Sequence, residues 1–134
     1  MRLLKIVAIV LLAYVGLVTA FESLIGVLQP HSGSTLVITT YDAGSAAHDR
    51  VVARLENDGH LYVAANHWPR AWYRRALANP DVSATLDGAK REDYHAVPVT
   101  GAEQERVNEA HHLPLGFRFL TGFPPRHFLR LDPR

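Results

Sequence analysis

Cysteine is absent from the 134-residue chain. Disulfides, thiolate zinc sites, cysteine-ligated iron–sulfur clusters and cysteine nucleophiles are therefore excluded together. The redox compartment stays open, because a chain without cysteine suits either. A strong charge of one sign is also lacking: the formal net charge is +1, so no global field points to nucleic acid, and none is expected as a partner. The sequence contains no Gly-x-Ser-x-Gly elbow, Walker loop, Gly-x-Gly-x-x-Gly fingerprint or His-Glu-x-x-His pair. A covalent serine hydrolase, a P-loop NTPase and a helical zinc protease thus lack their signatures. Eight histidines are present, but His111 and His112 are neighbours. On a helix they point in different directions, and no metal site is expected.

What the chain does have, first, is a long apolar start. Arg2 and Lys5 precede an uncharged run from Ile6 to Phe21, and after Glu22 the apolar character resumes at Leu24-Ile25-Gly26-Val27-Leu28. About 20 mostly apolar residues suffice to cross a bilayer, and the run shows none of the polar face of a core helix. Residues 1–28 are expected to be a transmembrane anchor or a signal segment, since Val18-Thr19-Ala20 also offers the small residues of a cleavage site. The basic residues on the N-terminal side place a retained anchor in the inner (cytoplasmic) membrane, single-pass, with the soluble part in the periplasm.

Residues 29–34 read as a linker punctuated by Pro30 and Gly33, and residues 35–134 as one domain. Thr35 to Tyr41 is rich in β-branched residues and predicts a strand, and Arg50 to Glu56 predicts another. Asn57-Asp58-Gly59 signals a hairpin into His60–Ala65. Pro69 to Ala78 shifts to a helical period and stops at Asn79-Pro80. Val82–Leu86, the turn Asp87-Gly88 and Tyr94–Val99 follow as strand, turn and strand, and Thr100-Gly101-Ala102-Glu103 matches a capping box for a helix to about His112. Leu113 to Pro125 is a mixed aromatic, Gly and Pro stretch, and Arg126 to Leu131 alternates as a last strand. Short strands in hairpin succession predict a mainly β fold, a small barrel of about six antiparallel strands with two or three short helices, behind the apolar helix.

The densest functional stretch is Asn66-His67-Trp68-Pro69-Arg70-Ala71-Trp72-Tyr73-Arg74-Arg75, with both tryptophans and three arginines at a strand-to-helix junction. It suits a planar anionic ligand, aromatics against a ring and Arg or the helix start against a phosphate or carboxylate. It equally suits a helix packed by Trp72 with arginines facing solvent. His67, Trp68 and Arg70 are the leading ligand candidates, while Arg74 and Arg75 read as surface.

Leu61-Tyr62-Val63-Ala64-Ala65-Asn66, followed by Pro69-Arg70-Ala71-Trp72-Tyr73 and Ala78-Asn79-Pro80-Asp81-Val82, resembles the deazaflavin-dependent nitroreductase and quinone reductase family. The resemblance runs from about Thr35 to Pro133. It implies a split β-barrel that binds a deazaflavin (coenzyme F420) or FMN in a groove and transfers hydride to a quinone or nitro compound. Thr39, Arg50, Ala65, Asn66, His67, Trp68, Arg70, Trp72 and Tyr73 would then surround the cofactor. A homodimer and an anchor near lipid-soluble quinone are implied as well. The family's basic turn after the first strand is replaced by Asp42-Ala43-Gly44-Ser45-Ala46-Ala47-His48, leaving Arg50 or Arg54 to stand in for its cation. A non-catalytic module holding another flat ligand in the same groove is the alternative.

Overall fold

The computed structural model describes residues 1–28, 35–66 and 71–134. Among the described residues, helix α1 (Arg2–Leu28) is followed by six strands and three short helices: β1 (Thr35–Tyr41), β2 (Ala47–Asn57), β3 (His60–Ala65), α2 (Ala71–Ala78), β4 (Asp81–Leu86), β5 (Glu92–Pro98), α3 (Gly101–Ala110), α4 (Leu115–Leu120) and β6 (His127–Pro133). The strands close into a barrel in the order β1-β2-β3-β6-β5-β4, every pairing antiparallel. The expected fold class is borne out.

Two turns set the hairpin registers. Asp58 and Gly59 have φ of 49° and 76°, and Asp87 and Gly88 have 49° and 72°. Successive left-handed residues of this kind match the twist of the flanking strands, and Asp-Gly is the pair that adopts them at least cost. Asn57 then faces His60 across the first hairpin.

Alternation divides the barrel into an inside and a covered outside. Leu36, Ile38, Val52, Val63, Ala65, Val82, Ala84, Ala96, Leu129 and Leu131 form one core cluster with Trp72 and Ala76 of α2. Tyr62, Ala64 and Phe128 form a second cluster with Val99 and with Val107 of α3. β3 and β6 are therefore buried on both faces, which explains why Phe128 and Leu129 are both inaccessible although adjacent.

Several local features differ from the sequence reading. β2 begins at Ala47 and β5 at Glu92, earlier than their apolar residues suggest, because ladder hydrogen bonds extend beyond the hydrophobic core. Thr100 occupies the N-cap of α3 but makes no side-chain cap bond. The Glu103 expected to complete that box instead meets Tyr62 and Arg130 on the barrel. The mixed stretch after Leu113 contains α4, a helix too short to show a period.

α1 is long and apolar enough, from Arg2 to Ile25, to cross a membrane. Two of its hydroxyls are satisfied within the helix, Thr19 donating to the Val15 carbonyl and Ser23 to that of Thr19. It packs against α4: the Tyr14 hydroxyl donates to the Phe119 carbonyl at 2.8 Å, the two rings lie 5.0 Å apart, and Phe21 meets Phe117 edge-on at 6.1 Å.

Candidate functional site

The β2–β3 ladder ends at Ala53 opposite Ala64. Beyond that pair a cavity of about 380 Å³ opens, floored by Val51, Val52, Ala53, Ala64 and Ala65. Small side chains at three of those positions leave the space. Trp72 of α2, Phe21 and Ile25 of α1 and Phe117 of α4 wall it, and Arg50, Thr35 and Asn66 supply the polar groups. Apolar walls with a few polar groups, at this volume, are the usual makeup of a small-molecule site.

Of the residues singled out in the sequence, Arg50, Ala65, Asn66 and Trp72 line this groove together. Thr39 is fully buried one register step away and donates to Asp49 Oδ1 at 2.6 Å, outside the groove lining. Tyr73 turns from the groove and stacks on His127 at 5.2 Å, with Trp72 edge-on to it at 5.9 Å. His67, Trp68 and Arg70 lie outside the described residues, as do the 29–34 linker and the Pro69 helix start. Arg54 is engaged elsewhere, donating to Asp87 Oδ2 at 2.9 Å.

The turn between β1 and β2 is closed to an anion. Asp42 Oδ1 accepts from the Gly44 and Ala46 amides at 2.9 and 3.0 Å, and Oδ2 contacts His48 Nε2 at 2.9 Å. The His48 hydrogen bond and then the Ala46 amide hold the Asp42 carboxyl below the usual carboxylate range. A carboxylate of the chain thus occupies the donors with which such a turn would grip a phosphate. Arg74 and Arg75 read from the sequence as surface. Both line a second cavity of about 550 Å³ beside this turn, where Arg75 Nε donates to Thr40 Oγ1 at 3.0 Å.

Asn66 also belongs to a third cavity, polar and about 580 Å³, between α3, α4 and the start of β6. Its organising residue is Arg126, which the sequence reading passed over as the first residue of a strand. Arg126 Nε donates to Asn66 Oδ1 at 2.9 Å, and Nη1 donates to Asn108 Oδ1 at 2.9 Å and to the His111 carbonyl at 2.6 Å. The guanidinium lies over the Phe128 ring at 4.8 Å. Burial, and then the nearby positive charge of Arg118, pull its pKa down to about 10.

A charged network fastens α3 to the barrel. Tyr62 donates to Glu103 Oε1 at 2.8 Å, and Arg130 Nη1 donates to both Glu103 oxygens at 2.9 and 3.1 Å while its Nε meets Asp132 at 2.8 Å. Burial, then the bond to Glu103, push the Tyr62 phenol up to about 12. Burial works against ionised Glu103, but the Tyr62 and Arg130 bonds prevail and hold its carboxyl below the ordinary value.

No known family profile and no curated protein matches the chain. Solved structures do. An F420-H2 dependent reductase is 21% identical with a TM-score of 0.55, over 74% of this chain and 94% of the other. A domain-swapped dimer is 19% identical with a TM-score of 0.61, over 74% and 80%. The heme storage protein HutZ of Vibrio cholerae is 20% identical with a TM-score of 0.52, over 77% and 83%. An FAD-binding protein of Mesorhizobium loti is 15% identical with a TM-score of 0.53, over 75% and 79%. What they share with this chain is the split-barrel fold. The shared fold has thus been solved in proteins named for F420-H2, FAD or heme.

Proposed function

We propose that the protein is a membrane-tethered oxidoreductase that holds a flavin or deazaflavin in the groove between β2, β3 and α2 and passes hydride to a quinone or nitro-type acceptor. In this reading residues 35–134 are the reductase domain and 1–28 its anchor. The observation that carries it is the convergence of Arg50, Ala65, Asn66 and Trp72 on one largely apolar cavity, in a fold shared with an F420-H2 dependent reductase and an FAD-binding protein. The residues fit the ring of such a cofactor: alanines admit a flat body, Trp72 faces it, and Arg50 and Asn66 offer donors at its edge. The cofactor would supply the hydride chemistry. The chain's part is to orient the ring, exclude water with Phe21, Ile25 and Phe117, and offer positive charge at Arg50. A domain-swapped dimer among the similar structures supports a homodimer.

A second reading is favoured by one observation, the self-satisfied Asp42 turn. A barrel whose turn already holds its own carboxylate suits a module that retains a flat ligand without turnover. Titration of the full chain in an uncharged detergent with FMN and with the deazaflavin, following Trp fluorescence, tests the choice. Saturable binding weakened by Arg50→Gln is expected. Absence of binding to either, by a folded protein, rejects the reductase and leaves the module.

A further inference from the structure

The polar cavity between α3, α4 and β6 holds a positive charge that no carboxylate of the described residues neutralises. Among the described residues, Arg126 has only neutral partners: two side-chain amides, one backbone carbonyl and an aromatic face. These fix the guanidinium through Nε and Nη1, and no described residue accepts a bond from Nη2. A half-buried guanidinium is normally matched by an acid, since desolvating an unpaired charge is costly. Here a second guanidinium, Arg118, lines the same cavity together with His112, and the one acidic residue in the lining is Glu105. Positive charge therefore outnumbers negative inside a concave space with room for a ligand. The amides of Asn66 and Asn108 hold Arg126 in place without quenching it.

We infer that this cavity is a phosphate-binding site, with Arg126 as its half-buried donor and Arg118, over the Phe123 ring at 5.6 Å, as its exposed one. Arg118 comes from α4 and Arg126 from the residue before β6, so the donors arise from separate parts of the fold around one space. That arrangement suits a tetrahedral anion. The site goes beyond the groove reading and stands without it. Two sources present the same chemistry. One is the headgroup of an anionic phospholipid, because α4 packs along the apolar α1 and the cavity mouth carries the exposed Phe123 beside the exposed Leu115 and Phe119 of α4. The other is a soluble phosphate-bearing ligand, which could share the Asn66 wall with the groove.

The test uses the full chain and inorganic phosphate. Calorimetric titration in an uncharged detergent is expected to show saturable binding. Loss of one charge-assisted bond in Arg118→Gln, an exposed position, should weaken it about tenfold or more. Arg126→Lys keeps the charge but cannot span Asn66, Asn108 and His111 at once, and should weaken binding as well. No phosphate binding, or equal binding in Arg118→Gln, overturns the assignment. The same titration in nanodiscs separates the sources. Binding in phosphatidylcholine discs that disappears in phosphatidylglycerol discs identifies the lipid headgroup. Equal binding in both identifies a soluble phosphate.

Discussion

Replacing Tyr62 with Phe should cost stability at neutral pH and nothing at strongly alkaline pH. The phenol is 2% exposed and donates to Glu103 Oε1 at 2.8 Å. A hydrogen bond to a charged group contributes roughly 1.5–3 kcal/mol. Glu103 is not orphaned by the change, because Arg130 still donates to both of its oxygens, so about 2 kcal/mol is expected. Burial first, and then the Glu103 bond, raise the phenol from 10.0 to about 12 in the folded state, which couples on the order of 2–3 kcal/mol of stability to its proton at about 1.36 kcal/mol per pH unit. Because the folded pKa is the higher one, this stabilisation is fully present below pH 10. It is lost between pH 10 and 12, as the unfolded chain releases its proton first. Urea unfolding of the full chain in an uncharged detergent, followed by Trp fluorescence from pH 7 to 12, should show the two proteins about 2 kcal/mol apart at neutrality and converging near pH 12. A gap that persists to pH 12, or no gap at pH 7, refutes the assignment of that energy to the phenol. The consequence reaches the polar cavity, since α3 supplies Gly101, Gln104, Glu105 and Asn108 to its wall.

Asn66→Ala removes the acceptor of Arg126 Nε at the wall shared by two cavities. It should lower stability by about 1–3 kcal/mol in a urea titration, and FMN and phosphate titrations should both change. Leu12→Arg places a charge near the middle of the candidate span, at roughly 2.5–3.5 kcal/mol against insertion. Carbonate extraction of membranes should then shift the chain from pellet to supernatant, and an unchanged distribution would mean that α1 does not hold the protein there.

Most of the barrel was legible because local chemistry and tertiary demand agree. Thr35–Tyr41 is β-branched and becomes a strand, and both Asp-Gly turns take the left-handed angles their residues favour. Legibility failed where a residue serves a distant partner. Glu103 has capping-box spacing but is drawn to Tyr62, 41 positions away, and to Arg130. α4 is six residues long, and its form depends on rings of α1 about a hundred positions earlier. Groove residues were half legible. Ala65, Asn66 and Trp72 stand near one another in sequence, and Arg50 joins them through the barrel. Arg126 carried no local signal, since its importance lies in the absence of an acid around it.

On the proposed reading of the groove, the Tyr14 and Phe21 contacts with α4 bear on how a substrate would find it. Tyr14 precedes Ile25 by 11 positions, about 16 Å along a helix at 1.5 Å per residue. If α1 crosses a bilayer, the Tyr14 and Phe21 contacts place α4 beside the second half of the span. Phe21, Ile25 and Phe117, which wall the groove, then sit at the lipid boundary. A molecule dissolved in the acyl phase would reach that mouth by sliding in two dimensions, and its supply would depend on its mole fraction among the lipids. Its concentration in water would be nearly irrelevant to the rate.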